Sequence, residues 1–152
     1  MKGRCNCGSV EIEISGQLPS LYKCFCTLCQ KQGGAASNAA TIVRREVLNW
    51  ISADDQIMRW KKSTGFSSDF CKTCGSPVPN LFRDKYYWVP MGLFDSSLSS
   101  KIVAHLYLDN KPAWENPPAV AHQFKQGSDS ICLLYTSPSP RDLSTSRMPS
   151  SA

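Results

Sequence analysis

The sequence predicts a mainly-β domain of several small antiparallel sheets with little helix, and three observations predict it. The stretch "SVEIEIS", Ser9 to Ser15, alternates, so that Val10, Ile12 and Ile14 share one face of a strand while Glu11 and Glu13 take the other. Further short segments rich in β-branched or aromatic residues follow at close spacing, each cut off by Gly, Pro, Ser or Asp. No segment sustains a helical period, and no internal repeat is present.

In chain order, "LYKCF" reads as a second strand running into a cysteine cluster, and "KQGGA" as a glycine-rich turn after it. "ASNAATIV" is a strand of small residues, where another backbone can approach closely. "REVLNWIS" fits either one or two helical turns or a strand connection. "IMRWKKS", "FSSDFC", "PVPNLFRD" and "YYWVPMG" supply short middle strands, and "KIVAHLYLD" closes the series. The domain is expected to span residues 1–131. Beyond it, eleven of the twenty residues in "LLYTSPSPRDLSTSRMPSSA" are Ser, Thr or Pro, so residues 132–152 read as a disordered tail of cloning or read-through origin. Cys132 sits alone at that join and is left out of the metal count.

A chain of 152 residues with 41% hydrophobic and 19% charged residues can bury a real core. Its eight cysteines are therefore not demanded by size and need another reason. The start, "MKGRCNCGSV", lacks the apolar run of a secretory signal, and no stretch of about 18 apolar residues suggests a membrane span. A cytoplasmic, reducing location is expected, where closely spaced thiols point to metal or catalysis before disulfides. The formal net charge is +5. Seven zinc-bound thiolates and two Zn²⁺ ions would together remove three of those charges and leave +2. Arg44-Arg45, Lys61-Lys62 and scattered single cations form no basic stripe, so no nucleic-acid partner is expected.

The thiols fall into "CNC" at Cys5 and Cys7, "CFCTLC" at Cys24, Cys26 and Cys29, and "CKTC" at Cys71 and Cys74. A closed structural zinc takes four ligands, whereas a catalytic zinc keeps three protein ligands and an open position. The two pairs are each followed by glycine, Gly8 and Gly75, whose freedom at positive φ suits a metal knuckle. Cys5, Cys7, Cys71 and Cys74 are thus expected to form a four-cysteine structural zinc site that closes a long loop. Cys24 and Cys26, two apart on extended backbone, share a side, and a turn through Thr27 and Leu28 brings Cys29 to the same metal. Phe25 must then point the other way, into the core. Three thiolates make zinc a weak Lewis acid for water but a good host for a substrate thiol, whose pKa it lowers. The competing reading is a second structural zinc closed by His105, His122 or an aspartate. A Cys24/Cys29 redox pair fits less well, given the thiol between them.

On "GRCNCGSV", "CFCTLCQKQGG", "FCKTCGSPV", "VPMGLFD" and "HLYLDNKPAW" the sequence resembles the glutathione-dependent formaldehyde-activating (GFA) family of β-tent zinc folds. The resemblance covers most of residues 3 to about 124. It implies a tent-like fold with two zincs, the structural one on Cys5, Cys7, Cys71 and Cys74 and the catalytic one on Cys24, Cys26 and Cys29. It also implies a carbon-sulfur lyase that joins glutathione to formaldehyde as S-hydroxymethylglutathione, with a small thiol and an aldehyde as partners. Phe25 and Gln30 stand where the family usually has histidine and arginine. The metal ligands are untouched, but an anionic tripeptide loses a cation, for which Lys31 is the neighbouring substitute.

The leading expectation is a zinc-dependent carbon-sulfur lyase acting on glutathione or another small thiol. The alternative is a non-catalytic zinc-stabilised module that binds a protein, which would show a closed second site or an apolar patch without a pocket. A relative of the methionine sulfoxide reductases would instead need a free nucleophilic cysteine. His105 is expected as a satisfied core or edge histidine, and His122 in a loop-like region. Tyr86, Tyr87, Trp88 and Trp114 read as packing, with Trp114 or Phe94 as lesser candidates for a pocket wall, and Asp95 as a turn residue.

Overall fold

The computed structural model describes residues 1–95, 99–120 and 122–127, so the expectations for residues 132–152 and Cys132 lie outside the described residues. The described chain is mainly β. Its strands are β1 (Lys2–Arg4), β2 (Glu11–Ile14), β3 (Leu21–Cys24), β4 (Asn38–Arg44), β5 (Leu48–Ser52) and β6 (Ile57–Lys61), followed by β7 (Ser67–Cys71), β8 (Asn80–Phe82), β9 (Tyr86–Pro90), β10 (Ile102–Leu106) and β11 (His122–Gln123). One α-helix among the described residues, α1 (Thr27–Gly33), follows β3.

Three sheets result, in the orders β1-β2-β5, β11-β10-β3-β4-β9-β8 and β6-β7. Most neighbours are antiparallel, but β10 runs parallel to both β3 and β11, so the largest sheet is mixed. The alternation in "SVEIEIS" has the expected outcome: Val10, Ile12 and Ile14 are fully buried while Glu11 and Glu13 stay partly exposed. They join Leu18, Leu21, Val43, Leu48, Val78 and Val89 in the main core. "REVLNWIS" divides between both readings, a single 3-10 turn at Arg45–Val47 and then β5.

The opposite face of the six-stranded sheet carries a second, smaller cluster of Tyr22, Cys24, Cys29, Ala40, Ile42, Ala104 and Leu106. Register explains it. Tyr22 lies between Ala104 on β10 and Ala40 on β4, and Cys24 between Leu106 and Asn38. Small neighbours on both sides leave room for the Tyr22 ring, which is what the small residues of β4 provide.

The stretch after the cysteine cluster differs from the expected turn, because Thr27 to Gly33 is helical. Cys26 caps the helix with its sulfur, which accepts from the Cys29 N–H at 3.4 Å, and Gly34 at φ 63° closes it. Cysteine is not among the usual capping residues, and a run of seven is too short to show a period.

Candidate functional site

Two loops carry the first thiol group. The Gly8 N–H donates to the Cys5 carbonyl at 3.1 Å, and the Gly75 N–H to the Cys71 carbonyl at 2.8 Å. Both glycines have positive φ, 78° and 74°, where a Cβ would be strained. The two knuckles bring the sulfurs of Cys5, Cys7, Cys71 and Cys74 within 4.8 Å of one another, with Cys5 to Cys7 at 3.5 Å and Cys7 to Cys71 at 3.7 Å. Four sulfurs each 2.3 Å from a central zinc would stand about 3.8 Å apart, so this donor set has the dimensions for the ion.

Each knuckle reads Cys-Gly-Ser, and in each the serine Oγ lies 3.3 Å from the preceding cysteine sulfur, Ser9 from Cys7 and Ser76 from Cys74. Hydrogen bonding to Ser76 holds the Cys74 thiol down at about 5, and bonding to Ser9 lowers Cys7. Burial pushes Cys71 up to about 11. The Val10 N–H adds a bond to the Cys5 sulfur at 3.3 Å. The serines escaped the reading of the sequence, although the repeated "CGS" was visible in it.

The second group sits where β3 becomes α1. Cys24 ends the strand, Cys26 caps the helix and Cys29 lies one turn in, with all three sulfurs within 4.8 Å of one another. Phe25 points away, fully buried, and its ring meets His105 edge-on at 5.5 Å. His105 is therefore a packed core histidine, and its buried imidazole is held below its ordinary value first by desolvation and then by Lys23. His122 stacks on Phe124. Among the described residues, no histidine or carboxylate joins either sulfur group.

Hydrogen bonds from Cys24 and then Cys29 hold the Cys26 thiol down at about 2. Bonding to Cys26 pushes Cys24 up to about 11, and bonding to Cys24 and Cys26 pushes Cys29 higher still. Three sulfurs this close make a soft donor set that suits a thiophilic cation such as zinc.

Gln30 braces this loop. Its Nε2 donates to the Phe25 carbonyl at 2.6 Å and to the Asn110 carbonyl at 2.9 Å, while the Phe25 N–H donates to the Leu106 carbonyl at 2.9 Å. An arginine at position 30 would present a charge; the glutamine instead ties two backbone segments together.

A cavity of about 480 Å³ opens beside Cys24 and Cys29. One face of the six-stranded sheet lines it with Tyr22, Ile42, Trp88 and Leu106, and Phe66 and Phe82 flank them. Arg83, in the turn after β8, lines it too. Lys31 is exposed on α1 and is not among the lining residues, so the cation at this cavity is Arg83 and not the expected lysine. Trp114 is 73% exposed and Phe94 packs toward the main core, so neither lesser candidate forms its wall. Trp88, expected only as packing, does. Asp95 lies in a separate, smaller depression with Lys2, Arg4 and Glu11.

The profile of the family described as glutathione-dependent formaldehyde-activating enzyme matches residues 1–110. The chain belongs to the glutathione-dependent formaldehyde-activating enzyme family. Among solved structures, the chain is similar to a crystal structure of a Rhodobacter sphaeroides protein from a structural-genomics programme, with a TM-score of 0.54 and 23% identity over 68% of this chain and 100% of that one. That likeness concerns the fold. No curated protein matches the sequence. Both cysteine groups thus lie inside the segment that the formaldehyde-activating family shares, and each could hold a metal ion. No helix among the described residues is long and apolar enough to cross a membrane.

Proposed function

We propose that the protein is a zinc-dependent carbon-sulfur lyase of the cytoplasm that joins a small thiol to formaldehyde or another small aldehyde. Residues 1–131 form the working domain. Cys5, Cys7, Cys71 and Cys74 hold a structural zinc, and Cys24, Cys26 and Cys29 hold a catalytic one. The observation that carries the reading is the cavity beside the three-sulfur group, lined by Cys24 and Cys29 and joined by no fourth protein ligand among the described residues. A zinc ion held by three thiolates supplies an open position that favours a substrate thiolate over water.

The reaction adds a thiol across a carbonyl. A carbon-sulfur bond forms, the carbonyl π bond breaks, and the proton lost from sulfur is matched by one gained at the aldehyde oxygen. Cys24, Cys26 and Cys29 define where the substrate sulfur arrives, and α1 with its Gln30 brace keeps them in place. Tyr22, Ile42, Trp88 and Leu106 exclude water from the attacking sulfur. The phenols of Tyr22 and Tyr107, both raised first by burial and then by the neighbouring Cys24, stay protonated and offer O–H donors to the carbonyl oxygen.

The presence of a cavity at the three-sulfur group favours this reading over a protein-binding module. NMR of formaldehyde mixed with glutathione and with other thiols, with and without the zinc-loaded protein, tests it. Faster exchange between aldehyde and adduct is expected for at least one thiol, and no acceleration for any thiol would refute it.

A further inference from the structure

We propose that the cavity selects a thiol with an apolar, ring-sized body and a single anionic group, received by Arg83, in preference to glutathione. The inference rests on the thiol-aldehyde reading above and narrows its substrate class.

Volume does not decide the matter, since about 480 Å³ lies within the ordinary range of small-molecule sites. Charge does. Tyr22, Ile42, Phe66, Phe82, Trp88 and Leu106 make the lining largely apolar and aromatic. Its amides are already engaged: Gln32 donates to the Ser68 hydroxyl and accepts from Asn38, while Asn80 accepts from the Asp69 N–H and donates to the Ser67 carbonyl. Thiols apart, Arg83 is the one ionisable lining group among the described residues that is charged at neutral pH. It makes no ion pair among the described residues, and its guanidinium lies 5.3 Å over the Phe82 ring, which orients its donors.

The turn that presents Arg83 is itself costly. Arg83 and Asp84 both lie at positive φ, 50° and 57°, a region that side-chain-bearing residues rarely adopt and that tends to persist at functional positions. One free guanidinium matches one carboxylate or similar anion. Glutathione brings two carboxylates and an ammonium, and among the described residues no aspartate or glutamate lines the cavity to receive the ammonium. Burying that ammonium without a partner is unfavourable.

Isothermal titration of the zinc-loaded protein with 4-(mercaptomethyl)benzoate, benzyl mercaptan and glutathione tests the inference. The acid is expected to bind about tenfold more tightly than either of the others, the size of one charge-assisted bond. Arg83→Gln should erase the gap between the acid and benzyl mercaptan while leaving benzyl mercaptan unchanged, and Arg83→Lys should restore part of it. Unchanged benzyl mercaptan binding also shows that the variant is folded; if Arg83→Gln does not fold, the wild-type ranking and Arg83→Lys decide. Glutathione binding as tightly as the acid, or Arg83→Gln weakening both aryl thiols equally, would overturn the proposal. If glutathione binds best and accelerates exchange, the thiol-aldehyde reading stands and only this narrowing falls; if no thiol binds, both fall.

Discussion

Cys5, Cys7, Cys71 and Cys74 meet on two glycine knuckles backed by serines, whereas Cys24, Cys26 and Cys29 meet at the start of a helix beside an aromatic cavity. The first group has its four sulfurs from two distant chain segments and closes on itself. The second draws three from six consecutive positions and faces a space large enough for a ligand. The same side chain therefore sits in two settings, and what separates them is the surroundings: turns that gather four sulfurs in one case, and a sheet face with a cavity beside three sulfurs in the other.

The sharpest way to break this contrast is to remove one thiol from each. Cys71→Ser strikes a fully buried thiol of the four-sulfur group and, with that group holding the structural zinc proposed above, should cost the fold several kcal/mol, lowering the melting temperature by on the order of 10 °C or abolishing the transition. Cys26→Ser should leave a cooperative transition and lower bound metal from about two equivalents to about one, with loss of activity. Metal analysis beside thermal denaturation checks both. Unfolding by Cys26→Ser would show that the two groups do not differ in role.

A smaller effect is expected at the cavity floor. Asn80→Ala leaves the buried Asp69 N–H and the Ser67 carbonyl without their partner and should cost about 2 kcal/mol in denaturant unfolding, with the metal content unchanged. Gln30→Leu removes two side-chain bonds and should cost about 1 kcal/mol, and it should weaken metal retention by the three-thiol group without touching the other. Competition with a chromogenic chelator reads the difference.

The smallest effect concerns His105. Its folded pKa lies below the unfolded value, so its contribution to stability is present above about pH 6.5 and declines as pH falls through that value toward the folded pKa. His105→Phe should flatten the stability profile of the zinc-loaded protein below about pH 6.5 and leave it unchanged at pH 8. An equal slope in both proteins would assign the acid limb to other groups.

Much of this was legible because it is local. Strict alternation placed Val10, Ile12 and Ile14, and glycine directly after each cysteine pair marked the knuckles. Phe25 could be sent inward because its neighbours had to face the other way. The helix was not legible, because Thr27 to Gly33 is short, ends in glycine and is capped by a cysteine that also reads as a ligand. Arg83 and Trp88 were missed because neither belongs to a motif. β8 and β9 form a local hairpin, but they reach the cavity only because β9 pairs with the distant β4, a contact that no local spacing announces. The parallel pairing of β3 with β10 is likewise long-range, joining Leu21 to Ile102.

That last pairing, together with the Gln30 bond to Asn110 across 80 positions, sets an order on assembly at the ribosome. The four-thiol group has every sulfur once Cys74 has emerged. The three thiols of the other group emerge early, but the strand and turn that brace them come only with Leu106 and Asn110. A nascent chain stalled between these points would hold all four sulfurs of the first group and an unbraced second group, so the proposed anchor can assemble before the proposed reaction centre.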